Sequence, residues 1–238
     1  MMNKEEFKNF LIQRAAENDF HIEEDVIDEF YLYMRNLIEW NQKINLTAIK
    51  DEREIVIKHF IDSILVSKYL TGDRMLDLGS GAGFPGIPLK IVNKGLDVTL
   101  IDSVNKKVNF MKDSIDKIGL KNIDAFHTRA EDLAHESEYR EQFDTVVSRA
   151  VANMTTLVEY MIPFVRVGGK CLCLKGPNCE DEINSAKNAI RKLGGKIEEV
   201  IEYKIDNNDR CLVVINKIRN TEQIYPRKLG KPLKEPLQ

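Results

Sequence analysis

Apolar residues recur at helical spacing through the first 70 residues of the chain. One apolar stripe lies at positions 7–15 and a second at positions 27–38, which predicts two amphipathic helices. A polar turn at residues 40–47 ends this pair, and a third helix is expected over residues 55–65. Because no low-complexity linker follows, we predict that residues 1–70 form a helical cap packed on the main domain.

From residue 74 onward, short apolar runs alternate with helical stripes, which is typical of a parallel sheet covered on both faces. The predicted strands lie at 75–78, 98–101, 123–127, 143–149, 170–174, 196–203 and 210–215. No helix separates the last two strands, so they must pair antiparallel. We predict an α/β, Rossmann-like domain over residues 71–217, in which a mostly parallel seven-stranded sheet ends in an antiparallel hairpin. Residues 218–238 form a basic tail.

A glycine-rich segment follows the first strand. Gly79, Gly81 and Gly83 stand at alternate positions, and an apolar run of helical spacing begins near Pro85. Glycine allows the tight turn between strand and helix, and it exposes bare backbone to a ligand at the carboxyl edge of the sheet. The simplest alternative is a glycine-rich connection without a ligand.

The sequence around this turn distinguishes between two nucleotide ligands. Residues 81–86 match the GxGxxG pattern that binds a pyrophosphate, but the strand ends at Leu78, so the match lies two residues late. Asp77, at the end of the strand, would repel a pyrophosphate, whereas its carboxylate suits a ligand with an ammonium and a sulfonium. The order D-x-G-x-G-x-G therefore resembles the S-adenosylmethionine loop of class I methyltransferases.

Three further strand ends carry candidate ligands. Asp102 ends the second strand, where a carboxylate can accept both hydroxyls of a ribose or merely cap the next helix. Ala130 and Glu131 follow the third strand, where they could hold an adenine edge or form an N-cap. Arg149 closes the fourth strand as a carboxylate clamp, a phosphate contact or a structural ion pair.

Net charge alone does not indicate a nucleic-acid partner, since the chain of 238 residues has a formal charge of −3. Residues 1–30 hold three basic and nine acidic side chains, whereas residues 216–234 hold six basic and one acidic. The basic segment is either a solvated face or a surface for a phosphate backbone. The apolar runs are too short for a membrane span, and the N-terminus resembles neither a signal nor a transit peptide, so we expect a cytoplasmic protein.

Cysteines and histidines give no sign of a metal or of a catalytic triad. Cys171 and Cys173 alternate along one strand, and Cys179 and Cys211 stand apart, so we expect four reduced thiols. His59 and the other histidine near an apolar run, His127, are expected to be structural.

Several segments together are similar to one family, the bacterial small-subunit rRNA guanine methyltransferases once called glucose-inhibited division protein B. They are residues 40–47 (WNQKINLT), 59–63 (HFIDS), 77–88 (DLGSGAGFPGIP), 129–132 (RAED), 148–152 (SRAVA) and 225–233 (YPRKLGKPL). The resemblance covers nearly the whole chain, and its FPGIP extension is more specific than the glycines. It implies a cytoplasmic enzyme with a class I methyltransferase fold. Such an enzyme uses S-adenosylmethionine to methylate nitrogen 7 of one guanine in 16S rRNA, in a loop near the decoding centre.

The resemblance also implies contacts for individual residues. Cofactor contacts fall on Gly79, Phe84, Ala130, Glu131 and Arg149, beside Asp77, Gly81, Gly83 and Asp102 from the strand-end argument. Arg149 is the candidate for positioning the substrate or the methyl group, and no other catalytic residue is assigned. For RNA we expect contacts from Lys106, Lys107, Arg227, Lys228, Lys231 and Lys234.

The expected partner is the small ribosomal subunit or its 16S rRNA, with no metal and no membrane, and the protein is expected to be a monomer. Two alternatives stay open. One is a methyltransferase that acts on a small molecule or a protein. The other is a non-catalytic RNA-binding assembly factor with a methyltransferase fold.

Overall fold

The computed structural model describes residues 2–149 and 152–237. Ala150 and Val151, part of the segment 148–152, lie outside the described residues. The strands are β1 (Arg74–Leu78), β2 (Asp97–Asp102), β3 (Ile123–His127), β4 (Phe143–Arg149), β5 (Val165–Lys175), β6 (Gly195–Ile205) and β7 (Asn208–Lys217). They form one sheet in the order β3-β2-β1-β4-β5-β7-β6. The first five strands pair in parallel, and β7 is antiparallel to both β5 and β6, which confirms the predicted fold class.

The α-helices are α1 (Lys4–Ala16), α2 (Ile27–Asn41), α3 (Glu52–Ile55), α4 (Asp62–Ile64), α5 (Gly86–Val92), α6 (Asn105–Ile118), α7 (Ala130–Leu133), α8 (Met154–Met161), α9 (Glu180–Leu193) and α10 (Lys231–Lys234). The predicted third helix is longer than expected and irregular. A π-helical segment, Val56–Ile61, joins α3 to α4, and the 3₁₀ segment Leu65–Tyr69 follows. Apolar spacing cannot reveal such a widened turn, which often occurs at functional sites.

The N-terminal helices pack directly on the Rossmann-like part. Tyr33 of α2 is fully buried, and its ring centre lies 5.3 Å from that of Phe84, beside the glycine turn. The Trp40 indole nitrogen donates to the Asp113 carboxylate at 2.7 Å. These contacts join the cap to α6 and to the turn after β1. The domain boundary near residue 70 stays a prediction.

Residues 218–237 also pack on the main domain. Arg140 is buried and donates hydrogen bonds to the carbonyl oxygens of Thr221, Glu222 and Tyr225 at 2.8 to 3.0 Å. The Arg227 guanidinium donates to the buried Glu159 carboxylate at 2.7 and 2.9 Å. The segment predicted as a basic tail is therefore anchored by specific polar contacts.

Two expectations differ from the structure on the β5 side of the sheet. Strand β5 begins at Val165 and not at residue 170, because Gly168 and Gly169 lie in an irregularity of its pairing with β4. Cys179 and Cys211 form a disulfide, so the expectation of four reduced cysteines is wrong for this pair. Their separation of 32 residues does not reveal that the start of α9 lies beside β7.

Candidate functional site

The glycine turn after β1 is held against the end of β2. The backbone N–H groups of Gly79 and Ser80 donate to the Ile101 carbonyl at 2.9 and 3.0 Å. Gly79, Gly81 and Gly83 all have positive φ angles, 71°, 60° and 85°. A Cβ at Gly83 would lie 2.4 Å from Ile87, whereas a Cβ at Gly81 would have no atom closer than 4.0 Å. Gly83 is therefore needed for packing, and Gly81 borders open space.

Asp77 lies beneath this turn and does not face a ligand. Its carboxylate is fully buried, and Oδ2 accepts the N–H of Gly86 at 2.8 Å. Oδ1 has no hydrogen-bond partner in the described part of the chain. Burial raises the pKa of this carboxyl to about 7. Asp77 lines neither of the cavities described next, and its contact with an ammonium or a sulfonium stays a prediction.

Two adjoining cavities open at the carboxyl edge of the sheet. The main cavity has a volume of about 620 Å³, and the side cavity, of about 150 Å³, shares Gly79 and Asp102 with it. The main cavity is also lined by Gly81, Phe84 and Arg149, and the side cavity by Ala130 and Glu131. Seven of the nine residues expected to contact a cofactor thus lie around one continuous site. Asp77 and Gly83 line neither cavity.

Asp102 is fixed at the boundary between the two cavities. Its Oδ2 accepts the N–H of Gly81 at 2.9 Å, and its Oδ1 accepts the N–H of Val104 at 2.8 Å. The side chain holds the turn before α6, but this helix has no side-chain cap among the described residues, so the alternative that Asp102 caps the next helix is not what the structure shows. A carboxylate has about four lone-pair sites, so these two bonds leave capacity for the hydroxyl groups of a ligand.

Glu131 links the side cavity to the C-terminal segment. Its Oε1 accepts the N–H of Gly230 at 3.1 Å. Burial, together with the neighbouring Glu131, raises the pKa of Tyr160 to about 12. Because both residues line the side cavity, the C-terminal segment forms part of the support of this site.

A polar cluster at the far wall of the main cavity joins the cap to the sheet. The Arg149 guanidinium donates to the Asp62 carboxylate at 3.1 Å and to Nδ1 of His59 at 3.1 Å. Asp62 also accepts from the Tyr203 hydroxyl at 3.2 Å and lies 3.5 Å from Arg210. The sequence predicted a structural role for His59 and assigned no contact to Asp62. Their place in the segment 59–63 of the family resemblance and their spacing of one helical turn were the available signals.

His59 is a neutral member of this cluster. Its ring stacks on that of Phe84, with the centres 4.5 Å apart and the planes 20° from parallel. Burial, aided by the charge of Arg149, lowers the pKa of His59 to about 3. Its proton therefore stays on one nitrogen throughout the physiological range, as expected of a structural histidine. The other histidine in question, His127, contacts the Ser103 carbonyl at 3.1 Å.

The basic residues expected to contact RNA fall in two places. Lys106 and Lys107 line a groove of about 320 Å³ beside the main cavity, together with Lys43. Lys228, Lys231 and Lys234 are exposed on the C-terminal segment. Arg227 differs from them, because Glu159 holds its guanidinium.

Neither a metal site nor a membrane span is found in the described residues. Within residues 2–149 and 152–237, no cluster of histidine, cysteine and carboxylate side chains could hold a metal ion. No helix of that part of the chain is long and apolar enough to cross a membrane.

Comparison with known proteins identifies the family of this chain. The family described as GidB, rRNA small subunit methyltransferase G, matches residues 26–213. The chain belongs to this family. The resemblance drawn from the sequence segments is thereby confirmed.

Full-length relatives agree with this membership. The ribosomal RNA small subunit methyltransferase G of Clostridium perfringens strain 13 is 46% identical over 234 residues, which cover 96% of this chain and 98% of the relative. Its counterpart from Clostridium novyi is 44% identical over 99% of this chain and 100% of the relative. The counterpart from Alkaliphilus metalliredigens is 45% identical over 98% of this chain and 100% of the relative.

Solved structures of lower identity share the fold. A SAM-dependent methyltransferase from Aquifex aeolicus aligns with a TM-score of 0.51 at 18% identity, over 69% of this chain and 93% of that chain. TYW2 from M. jannaschii, solved in complex with AdoMet, aligns with a TM-score of 0.52 at 17% identity, over 66% of this chain and 77% of that chain. These similarities confirm the class I methyltransferase fold.

Proposed function

We propose that this protein transfers a methyl group from S-adenosylmethionine to nitrogen 7 of one guanine in 16S rRNA, in a loop near the decoding centre. The observation that carries the proposal is the continuous site at the carboxyl edge of the sheet, lined by seven of the residues expected to contact the cofactor. Membership in the family described as rRNA small subunit methyltransferase G supplies the class of substrate.

The residues around the site fit S-adenosylmethionine. The open space beside Gly81 lets the backbone approach a ligand closely, and Asp102 retains lone pairs for the two ribose hydroxyls. Ala130 and Glu131 would hold the adenine in the side cavity, and Arg149 offers a cation to the ligand's carboxylate. When bound, this cofactor supplies an electrophilic methyl group on a sulfonium.

The protein needs no general base for this reaction, because nitrogen 7 of guanine carries a free lone pair at neutral pH. Phe84, His59 and Arg149 form one rigid wall of the main cavity through stacking and hydrogen bonds. Such a wall excludes water and orients the base, and alignment alone can supply ~7–11 kcal/mol of barrier reduction. Arg149 is the proposed positioning residue of this wall.

Affinity for RNA is assigned to lysines on both sides of the site. Lys106 and Lys107 lie beside the main cavity, and Lys228, Lys231 and Lys234 project from the exposed C-terminal segment. Contacts of this kind to phosphates make binding strongly dependent on salt. The target base has to leave its stack to enter the cavity. The proposed active form is a cytoplasmic monomer.

The reaction is tested with tritiated S-adenosylmethionine, small ribosomal subunits and protein-free 16S rRNA, followed by nucleoside analysis. Label recovered as 7-methylguanosine from either RNA is the expected result. Label in another nucleoside would overturn the assignment to nitrogen 7. Cofactor binding without any transfer to RNA would favour a methyltransferase of small molecules or proteins, or a non-catalytic assembly factor.

A further inference from the structure

The segment 40–47, which is part of the family resemblance, fixes the backbone of Thr47. The Asn41 side chain accepts hydrogen bonds from the N–H groups of Leu46 at 2.8 Å and Thr47 at 3.1 Å. Its amide group donates to the Thr47 carbonyl at 2.9 Å. Trp40 ties the same turn to Asp113 of α6. One asparagine thus satisfies both backbone polar groups of Thr47, which lines the main cavity.

Hydrogen bonds also determine which way the Thr47 hydroxyl donates. Arg149 has only donors and lies 3.1 Å from Nδ1 of His59, so this nitrogen must be the acceptor. The ring is neutral, so its proton resides on Nε2, which lies 2.9 Å from Oγ1 of Thr47. The hydroxyl oxygen therefore accepts from His59, and it also accepts from the N–H of Ile49 at 3.1 Å.

One hydrogen-bonding capacity of Thr47 remains unused. A hydroxyl oxygen has two lone pairs and one proton. Both lone pairs are occupied, and no acceptor for the proton lies within hydrogen-bond distance among residues 2–149 and 152–237. The side chain is half-buried at the wall of the main cavity. It therefore presents a fixed donor to whatever enters this cavity.

The chemistry of the bases indicates what this donor would recognise. On the edge of guanine that carries nitrogen 7, the neighbouring group is O6, an acceptor, whereas adenine carries an amino group, a donor, at the same place. The geometry points to Thr47 as the residue that selects guanine, by donating its hydroxyl proton to O6 of the target base. Arg149 and His59 act as positioning residues, because they fix the direction of this donor. The assignment rests on the proposed function and adds the group that selects the base.

The test combines a change in the base with a change in the protein. A synthetic segment joined into the 16S rRNA by splinted ligation carries either guanine or 2-aminopurine at the methylated position. 2-Aminopurine retains nitrogen 7 and the 2-amino group, has a hydrogen in place of O6 and lacks the proton on nitrogen 1, so the effect of Thr47 is the difference between the wild type and its variants on each base. The kcat/KM of methyl transfer to each RNA is measured for the wild type, Thr47→Val and Thr47→Ser. The affinity of the 2-aminopurine RNA as a competitive inhibitor gives the same comparison if its methylation is too slow.

Thr47→Val should lose roughly five- to thirtyfold on guanine, the range expected for one hydrogen bond to the base. Its loss on 2-aminopurine should be smaller than its loss on guanine by that factor, because this base has no O6 to accept the proton, and Thr47→Ser should stay near the wild type on both. An equal loss on both bases would overturn the assignment and make Thr47 a structural residue, and so would an undiminished rate on guanine. Cofactor affinity and melting temperature, measured in parallel, identify a variant whose fold is damaged.

Failure of the inference and failure of the proposed function give different results. If the wild type methylates guanine but Thr47→Val discriminates against 2-aminopurine as strongly as the wild type does, only the role of Thr47 is wrong. If the wild type produces no 7-methylguanosine in the guanine RNA or in small ribosomal subunits, the proposed function fails and the role of Thr47 fails with it.

Discussion

At the scale of single residues, the ionisation of the buried Asp77 carboxyl makes the free energy of unfolding depend on pH. Its pKa is raised by burial from the ordinary 3.8 to about 7. Between these values the unfolded chain releases the proton while the folded chain keeps it. The free energy of unfolding therefore falls as the pH rises through this window, by an amount limited to about 4 kcal/mol.

Asp77→Asn should remove this dependence. The asparagine Oδ1 can still accept the N–H of Gly86, so the start of α5 is retained. We expect the variant to gain stability relative to the wild type as the pH rises from 3.8 to about 7, as measured by urea denaturation across this range. Other titrating groups are common to both proteins and cancel. Stability curves that run parallel across these pH values would contradict the raised pKa.

Arg227 tests whether a basic residue near the C-terminus serves the fold. Its guanidinium pairs with the fully buried Glu159 at 2.7 Å. Arg227→Ala removes the charged partner of that carboxylate and leaves it the backbone N–H of residue 227, so it should destabilise the protein by up to about 3–5 kcal/mol. Lys228→Ala, a change at an exposed neighbour, should stay within roughly 0.5 kcal/mol of the wild type. Equal melting temperatures for the two variants would show that Arg227 does not stabilise the fold, and Arg227 would then remain a candidate RNA contact.

Single residues were predictable where a strand end fixes their place. Asp102 and Arg149 end parallel strands, so the sheet alone brings them to one edge. Asp77 occupies a similar position but lies under the turn, because its carboxylate accepts a hydrogen bond from the N–H of Gly86. The cluster of Asp62 with Tyr203 and Arg210 joins residues about 140 positions apart, and no local pattern encodes such a contact.

At the scale of elements, the glycine turn is the feature that decides cofactor binding. Gly81 has a φ of 60° and borders the main cavity. Gly81→Ala should lower the affinity for S-adenosylmethionine at least about tenfold, because the new methyl group occupies the space needed for close backbone approach. Isothermal titration calorimetry measures this directly.

Gly119 offers a matched control for that change. It ends α6 with a φ of 80°, and a Cβ there would meet nothing within 4 Å. Gly119→Ala therefore introduces similar backbone strain, on the order of 1–2 kcal/mol, away from the site. The two variants should lose similar stability, and only Gly81→Ala should lose cofactor affinity. Equal cofactor affinity in both would show that the turn does not contact the ligand.

Regular elements followed from periodicity, and irregular ones did not. Strands β3 and β4 have the bounds that their apolar patterns predicted. The π-helical segment Val56–Ile61 and the irregular start of β5 depend on tertiary packing. Both lie where a one-residue change in register alters which side chains face the neighbouring element.

At the scale of the whole molecule, charge is segregated between the two ends of the chain. Residues 1–30 carry an excess of acidic side chains, and residues 216–234 an excess of basic ones. Removing residues 225–238 would not test the effect of the basic charge alone. Tyr225 is buried and the backbone of Gly230 contacts Glu131, so packing would be lost as well. The sequence predicted the basic character of this segment but not its packing, which depends on the distant Arg140 and Glu159.

The triple variant Lys228→Gln, Lys231→Gln and Lys234→Gln removes the charge and leaves the packing. Each phosphate contact contributes roughly −0.7 to −0.9 to the salt dependence of binding, so the slope of log K against log salt should become shallower by about two to three. Filter binding to 16S rRNA over a series of salt concentrations measures it. Lys4→Gln with Lys8→Gln, in the acidic region 1–30, is the control and should leave the slope unchanged. An unchanged slope in the triple variant would exclude these lysines from the RNA interface.

One site in this protein is proposed to methylate nitrogen 7 of one guanine in 16S rRNA. A 7-methylguanosine makes the RNA chain sensitive to scission by borohydride reduction followed by aniline, so the most direct measurement is to map scission after incubation with S-adenosylmethionine and the enzyme. We expect a single new cleavage position that depends on the cofactor and is strongly reduced with Gly81→Ala. No new cleavage, or cleavage at many unrelated guanines, would contradict this function.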